Sequence, residues 1–170
     1  MIILIVLLTI AAMVFGLYRN LQRRQYIANA AFKQLNEVVS AISETAGKYV
    51  EAMRETRGED LPEFTQINQL RWQTTSRKVS VEKKAQALNQ LVVLFGRLLK
   101  QPEHQNKLTD NPQLKTLHSR WNNLLEELET EKEGYNFAVT EYNTIIHKFP
   151  YRIFSRILRI LPKTLIQISH

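Results

Sequence analysis

The chain of 170 residues is 44% hydrophobic, contains no cysteine and carries a net charge of +7, from 23 Lys/Arg against 16 Asp/Glu. The missing cysteine excludes disulfides, thiolate metal sites, a Cys nucleophile and a lipidated Cys beside Gly16. The charge argues against nucleic acid as a partner: residues 1–36 hold four basic groups and residues 148–170 five, neither with an acid, while 37–147 carry −2, and basic ends without a basic stripe suit anionic lipid headgroups, at about 1 kcal/mol per residue.

The first element is apolar. Ile2, Ile3, Leu4, Ile5, Val6, Leu7, Leu8, Ile10, Val14, Phe15 and Leu17 make eleven of the residues from 2 to 17, with no charged side chain among them. Insertion scales give such residues roughly −3 to −7 kcal/mol in total at mid-membrane, and at ~1.5 Å per residue the run covers about 25 Å, the short end of a bilayer span. A cleaved signal peptide needs a basic start and a small-x-small site, whereas Met1 leads straight into Ile2 and the run leaves through Phe15, Gly16, Leu17 and Tyr18. A buried core helix would be patterned, and this one is apolar on every side except at Thr9. We therefore expect a single-pass anchor over 1–17. Arg19, Arg23 and Arg24 flank its C-terminal side, which by the positive-inside rule puts the bulk of the chain on the cytoplasmic face of the cell membrane.

From Tyr18 to Met53 the residues Tyr18, Leu21, Gln25, Ala28, Phe32, Leu35, Val39, Ile42, Ala46, Tyr49 and Met53 alternate steps of three and four, the seam of a long packed helix. The spacing predicts continuity with the anchor and a stop at Gly58, Glu59 and Asp60. A second helix is expected from Pro62 to Gln101, with Val81, Ala85, Leu88, Val92, Phe95 and Leu99 in line and Leu91, Leu94 and Leu98 widening the stripe. Thr74, Thr75, Ser76 and Ser80 weaken its middle, where a kink or short break is as well supported as continuity.

After a polar stretch from Pro102, Asn111 and Pro112 read as N-cap and first helical residue of a third helix. Leu114, Trp121, Leu128, Tyr135, Tyr142 and Phe149 hold one heptad position, and Leu117, Leu124, Glu131, Ala138 and Ile145 the other; Pro150 ends the run. The fold class expected is all-α: an N-terminal transmembrane helix continuing into an elongated antiparallel three-helix bundle over 18–150, each helix roughly 57 to 60 Å long at 1.5 Å rise, and a short amphipathic segment over 151–170.

In that tail, Ile153, Phe154, Ile157, Leu158 and Leu161 fall on one side of a helix and Arg152, Arg156, Arg159 and Lys163 on another. This is the pattern of a basic interfacial helix, and equally of a fourth element folded onto the bundle end. Three helices of equal length would leave Pro150 roughly 60 Å from the anchor's bilayer, so such a tail would fold back, meet a second membrane or dock on a partner. Arg152, Phe154, Arg156, Arg159 and Lys163 are its candidate lipid or partner contacts.

The run Tyr135-Asn136-Phe137-Ala138-Val139-Thr140-Glu141-Tyr142-Asn143, followed by Ile146 and Phe149-Pro150, resembles the C-terminal signature of the LemA family, a YN-x-AV-x-x-YN element leading into FP. Leu108, Asn111, Leu114, Leu117 and Trp121, and near the start Tyr18-Arg19-Asn20-Leu21 and Ala31-Phe32, extend the resemblance over nearly the whole chain. The family's Arg-Arg, Asp-Leu-Ile-Pro-Asn-Leu-Val element is missing, its place taken by Ala41 to Val50 with Gly47 where the proline would fall, so the chain looks like a divergent member. The resemblance implies a membrane-anchored antiparallel helical bundle without recognised enzymatic activity.

Read as physical devices, Tyr135, Asn136, Tyr142 and Asn143 place two rings in the seam and two amides beside it, able to bond across to a neighbouring helix; the same residues also serve as packing and register determinants with their phenol oxygens at the bundle rim. His104, His118, His147 and His170 lack the spacing of a helical metal site, and the five glycines form no phosphate-cradling loop. No catalytic residue, metal or cofactor is expected, and no small-molecule substrate. The partners expected are membrane lipid and another membrane protein. The sequence thus supports a non-enzymatic scaffold or adaptor, for which the apolar width at Leu91, Leu94 and Leu98 offers a surface. Alternatives are a membrane-bridging or membrane-shaping protein that uses its basic tail on anionic lipid, and a signalling stalk.

Overall fold

The computed structural model describes residues 1–57, 61–76, 78–101 and 111–168. Among them the regular structure is entirely helical: α1 (Ile2–Arg57), α2 (Pro62–Thr75), α3 (Val81–Lys100), α4 (Pro112–His147) and α5 (Tyr151–Ile157). The expected stop at Gly58, Glu59 and Asp60 and most of the polar stretch after Pro102 lie outside the described residues.

α1 runs 56 residues without interruption, as the three-four seam predicts. Its first fifteen residues are exposed all round, and it is long and apolar enough to cross a membrane. Burial alternates along the seam from Leu21 onward, with Leu35, Ile42, Ala46, Tyr49 and Met53 sealed from solvent. α4 starts where Asn111 and Pro112 place it: the Asn111 Oδ1 accepts from the amides of Gln113 at 2.9 Å and Leu114 at 3.3 Å, serving two of the donors that a helix start leaves unpaired.

The expected second helix is divided. Thr74 and Thr75 turn their hydroxyls back onto the Arg71 carbonyl, at 2.8 and 3.0 Å, and Ser80 caps a new helix by accepting from the Lys83 amide. Four Ser/Thr residues that compete with helical hydrogen bonding thus end α2 and begin α3, and the chain reverses so that α3 packs against α2.

The chain forms two compact units, Met1–Lys33 with Glu133–Leu165, and Gln34–Lys132 with Ile166–His170. In the second unit α2 runs back along α1. Arg54 sits over the Phe64 ring at 5.9 Å, Arg71 Nε donates to the Ser43 carbonyl at 2.5 Å, and the Ser43 and Thr74 hydroxyls meet at 2.6 Å. Phe95 of α3 lies between Tyr49 of α1, 5.1 Å away edge-on, and Trp121 of α4, at 4.2 Å. Leu91 and Leu98 are 0% and 1% exposed. Of the apolar width expected to serve as a contact surface, Leu91 and Leu98 are therefore core and Leu94 is half-buried, on the helix against which α2 folds back. Glu131, which breaks the apolar line of α4, is half-buried.

Tyr49 is sealed in this core with no partner for its hydroxyl among the described residues, and burial pushes its pKa up to about 12. An unpaired buried hydroxyl costs about 1–3 kcal/mol, so Tyr49→Phe is expected to stabilise the protein by about 1 kcal/mol. The proton is held more tightly in the folded state than in the unfolded one, where tyrosine titrates near 10. Tyr49's contribution is therefore complete below about pH 10 and is lost as pH rises toward 12. Denaturant titrations of detergent-solubilised protein at pH 8 and pH 11 should show a smaller alkaline loss in Tyr49→Phe.

Gly47 is needed by its neighbour. A Cβ there would run into the guanidinium of Arg71, which is also held by Asn68 Oδ1 at 2.7 Å. Gly47→Ala is expected to cost about 2 kcal/mol by displacing a charged hydrogen-bond donor. In an Arg71→Ala background the same change should stabilise by up to about 1 kcal/mol, since alanine is the better helix former; a double-mutant cycle in urea reads this reversal of sign.

Candidate functional site

The first unit brings both ends of the chain together. α4 runs back along α1, with Phe32 and Tyr135 rings 5.5 Å apart and Arg24 paired to Glu141 at 2.7 Å, a half-exposed ion pair worth at most about 1 kcal/mol. Leu21, Tyr142 and Ile146 form its core, joined by Ile145, Tyr151 and Ile160. Pro150, after a cis peptide bond from Phe149, precedes α5, and the Tyr151 hydroxyl accepts from Asn20 Nδ2 at 2.7 Å. The tail thus begins beside the end of the apolar run of α1. The expectation of some 60 Å between Pro150 and the anchor is corrected here. It assumed one continuous second helix, and the Ser/Thr break adds a reversal that returns α4 to α1's apolar end.

The amphipathic helix expected in the tail lasts seven residues. The Ile160 amide bonds to the Ser155 carbonyl at 2.9 Å and that of Arg159 to Arg156 at 3.4 Å, with Arg159 at φ 52°, the left-handed residue of a Schellman turn. Pro162 follows, and the chain continues to residue 168 without regular secondary structure.

The tyrosine and asparagine signature holds this irregular segment. Asn143 makes a two-point clamp on Lys163, accepting from its amide at 2.9 Å and donating to its carbonyl at 2.8 Å. Tyr135 donates to the Thr164 carbonyl at 2.9 Å and Tyr142 to that of Leu161 at 3.4 Å. Burial raises the pKa of both phenols, keeping them as donors to higher pH. Asn136 is half-buried and Phe149 is 82% exposed, off the apolar line it was assigned to, because α4 ends at His147.

The five candidate contacts of the tail divide. Arg152, Arg156 and Arg159 are exposed. Phe154 is half-buried against α1, and Lys163 is turned inward, its Nζ 2.8 Å from Asn29 Oδ1 and 5.8 Å over the Tyr142 ring. Arg19 and Arg23 are exposed, while Arg24 is committed to Glu141. Ile153, Ile157, Leu158 and Leu161 are all more than half exposed, an apolar strip on the tail itself. This unit holds nine Lys/Arg against Glu133 and Glu141, which is the whole of the chain's +7.

Sequence reasoning missed the backbone of 161, 163 and 164 as the partner of the signature, and Asn20 and Asn29 as the partners of Tyr151 and Lys163. Asn143 beside Tyr142 was the available signal, and its target is backbone, which leaves no mark in composition. Among the described residues no group of His, Asp and Glu converges as metal ligands would. His147 Nδ1 contacts the Asn143 carbonyl at 2.7 Å, and His118 Nδ1 is buried without a partner among the described residues, while His104 and His170 lie outside them.

A family model described as the LemA family matches residues 20–170. No curated protein matches the chain.

Proposed function

The chain belongs to the LemA family, and from that premise we propose that it is a single-pass membrane protein that works by contact, without catalysis, holding another membrane protein at the cytoplasmic face of the cell membrane. The observation that carries this reading is the gathering of both cationic ends in one unit around the exit of an apolar helix. Arg19 and Arg23 from α1, and Arg152 and Arg156 from α5, form a collar suited to anionic headgroups. With residues 150–158 beside that exit, the tail serves as a second foothold on the same membrane, which favours this reading over a bridge to another membrane.

The second unit supplies the contact surface. It carries no net charge and has an open groove of about 550 Å³ between Arg54 of α1 and Thr65, Asn68, Gln69, Trp72 and Gln73 of α2. Trp72 is 62% exposed at its edge, and exposed Trp beside Arg is the composition of a protein-contact hot spot. A photocrosslinking side chain at Gln73 of the full chain, in its native membrane, is expected to give one adduct of discrete mass that disappears in Trp72→Ala. Crosslinking no stronger than from a position on the exposed face of α4, such as Glu126, would refute the scaffold.

A further inference from the structure

Where α5 meets α1 the surface is notched. Val14, Leu17, Tyr18 and Leu21 form one wall, Tyr151, Phe154, Ile157 and Leu158 the other, enclosing about 290 Å³. The walls present no polar surface, since the two phenol oxygens are turned to amides, Tyr151 to Asn20 and Tyr18 to Gln22 at 3.1 Å. At about 30 Å³ for a group the size of a water molecule, the space takes roughly ten such groups, a length of alkyl chain. We infer that this notch binds one acyl chain of an anionic phospholipid from the membrane that α1 crosses, with its phosphate on Arg152 and Arg156.

Two features identify the occupant. Val14 and Leu17 belong both to the apolar span and to the notch wall, so an acyl chain lying along α1 enters without crossing water. A water-soluble apolar ligand would have to reach the same place through the headgroups. Charge supplies the rest. Arg152 and Arg156 are four residues apart on the helix that forms the second wall, and so share a face, the side away from the notch-lining Phe154 and Ile157, which stands at headgroup level when the apolar side rests on the acyl region. Both are exposed, and of the unit's two carboxylates Glu141 is taken by Arg24. Guanidinium groups bind phosphate oxygens with paired donors, so a phosphate without a compensating choline is favoured over a zwitterionic headgroup.

This inference rests on the membrane-anchored reading but is tested separately from the scaffold. The full chain in detergent micelles doped with dioleoyl phosphatidylglycerol or dioleoyl phosphatidylcholine is examined by native mass spectrometry. One phosphatidylglycerol per chain should be retained, at least tenfold more than phosphatidylcholine. Leu158→Trp, which fills the notch, and Leu158→Asn, which makes its wall polar, should each lower that retention tenfold or more. Leu158 is half exposed, so neither change disturbs the core, and an unchanged melting temperature confirms it. Arg152→Gln with Arg156→Gln should reduce phosphatidylglycerol to the level of phosphatidylcholine. Excess inorganic phosphate should displace neither lipid. Retention unaffected by the Leu158 variants, equal retention of the two lipids, displacement by phosphate, or loss of a chain dimer instead of a lipid in the Leu158 variants would each overturn the site, while leaving the crosslink from Gln73 untouched.

Discussion

Asn143→Ala is expected to free the C-terminal segment from the body of the protein while leaving the helices intact. The side chain serves both the amide and the carbonyl of Lys163, so its loss strands two backbone groups as well as breaking two hydrogen bonds. At about 1 kcal/mol net per bond, docking weakens by about 2 kcal/mol, and the undocked form becomes about thirtyfold more populated. Limited trypsinolysis at Arg159 and Lys163 reads that population directly when reclosing is fast. Asn143→Asp separates the two halves of the clamp, since a carboxylate still accepts from the Lys163 amide but cannot donate to its carbonyl. Its cleavage rate should fall between those of wild type and Asn143→Ala. Unchanged cleavage in Asn143→Ala would mean that the clamp does not hold the tail.

Phe95→Ala is expected to have the largest effect on the second unit. The ring fills the space between Tyr49 and Trp121, on three different helices, and is 0% exposed. Removing a buried aromatic side chain costs about 3–5 kcal/mol through lost transfer energy and the cavity left behind. Two aromatic contacts lie at the upper end of that mechanism. Urea denaturation followed by Trp121 fluorescence should show the midpoint falling by more than a molar at ordinary slopes of ~1–3 kcal/mol/M. Phe95→Leu should recover more than half of the loss, because it keeps most of the apolar volume.

The architecture was legible wherever one local signal sufficed. An uninterrupted apolar run marks a helix long and apolar enough to cross a membrane, the three-four seam carries α1 through to Arg57, and Asn111 before Pro112 marks the start of α4. The Ser/Thr cluster at 74–80 raised the question of a break, but composition cannot say whether a helix bends or reverses there. That difference decides everything downstream. A reversal buries Leu91 and Leu98, which periodicity alone left open to a partner, and returns Pro150 to the anchor instead of carrying it away. The tail was half legible: its basic and apolar residues were visible, yet their helical sorting failed beyond Ile157. Arg159 takes the left-handed turn and Lys163 is drawn inward to Asn29. Asn143 and Tyr135 act on backbone of distant sequence, and that kind of contact has no periodic trace.

The position of the tail relative to the bilayer is the point on which the account turns. The chain has no native cysteine, so Ile157→Cys, at a residue 70% exposed on α5, offers one labelling site. The full chain carrying a fluorophore there, reconstituted into vesicles, is titrated with lipids bearing a nitroxide near the headgroup, and Met13→Cys within the span serves as the positive control. The label at 157 should be strongly quenched, as a tail laid on the membrane at the exit of α1 requires. Fluorescence unchanged by the nitroxide lipids, with Met13→Cys quenched in parallel, would contradict it.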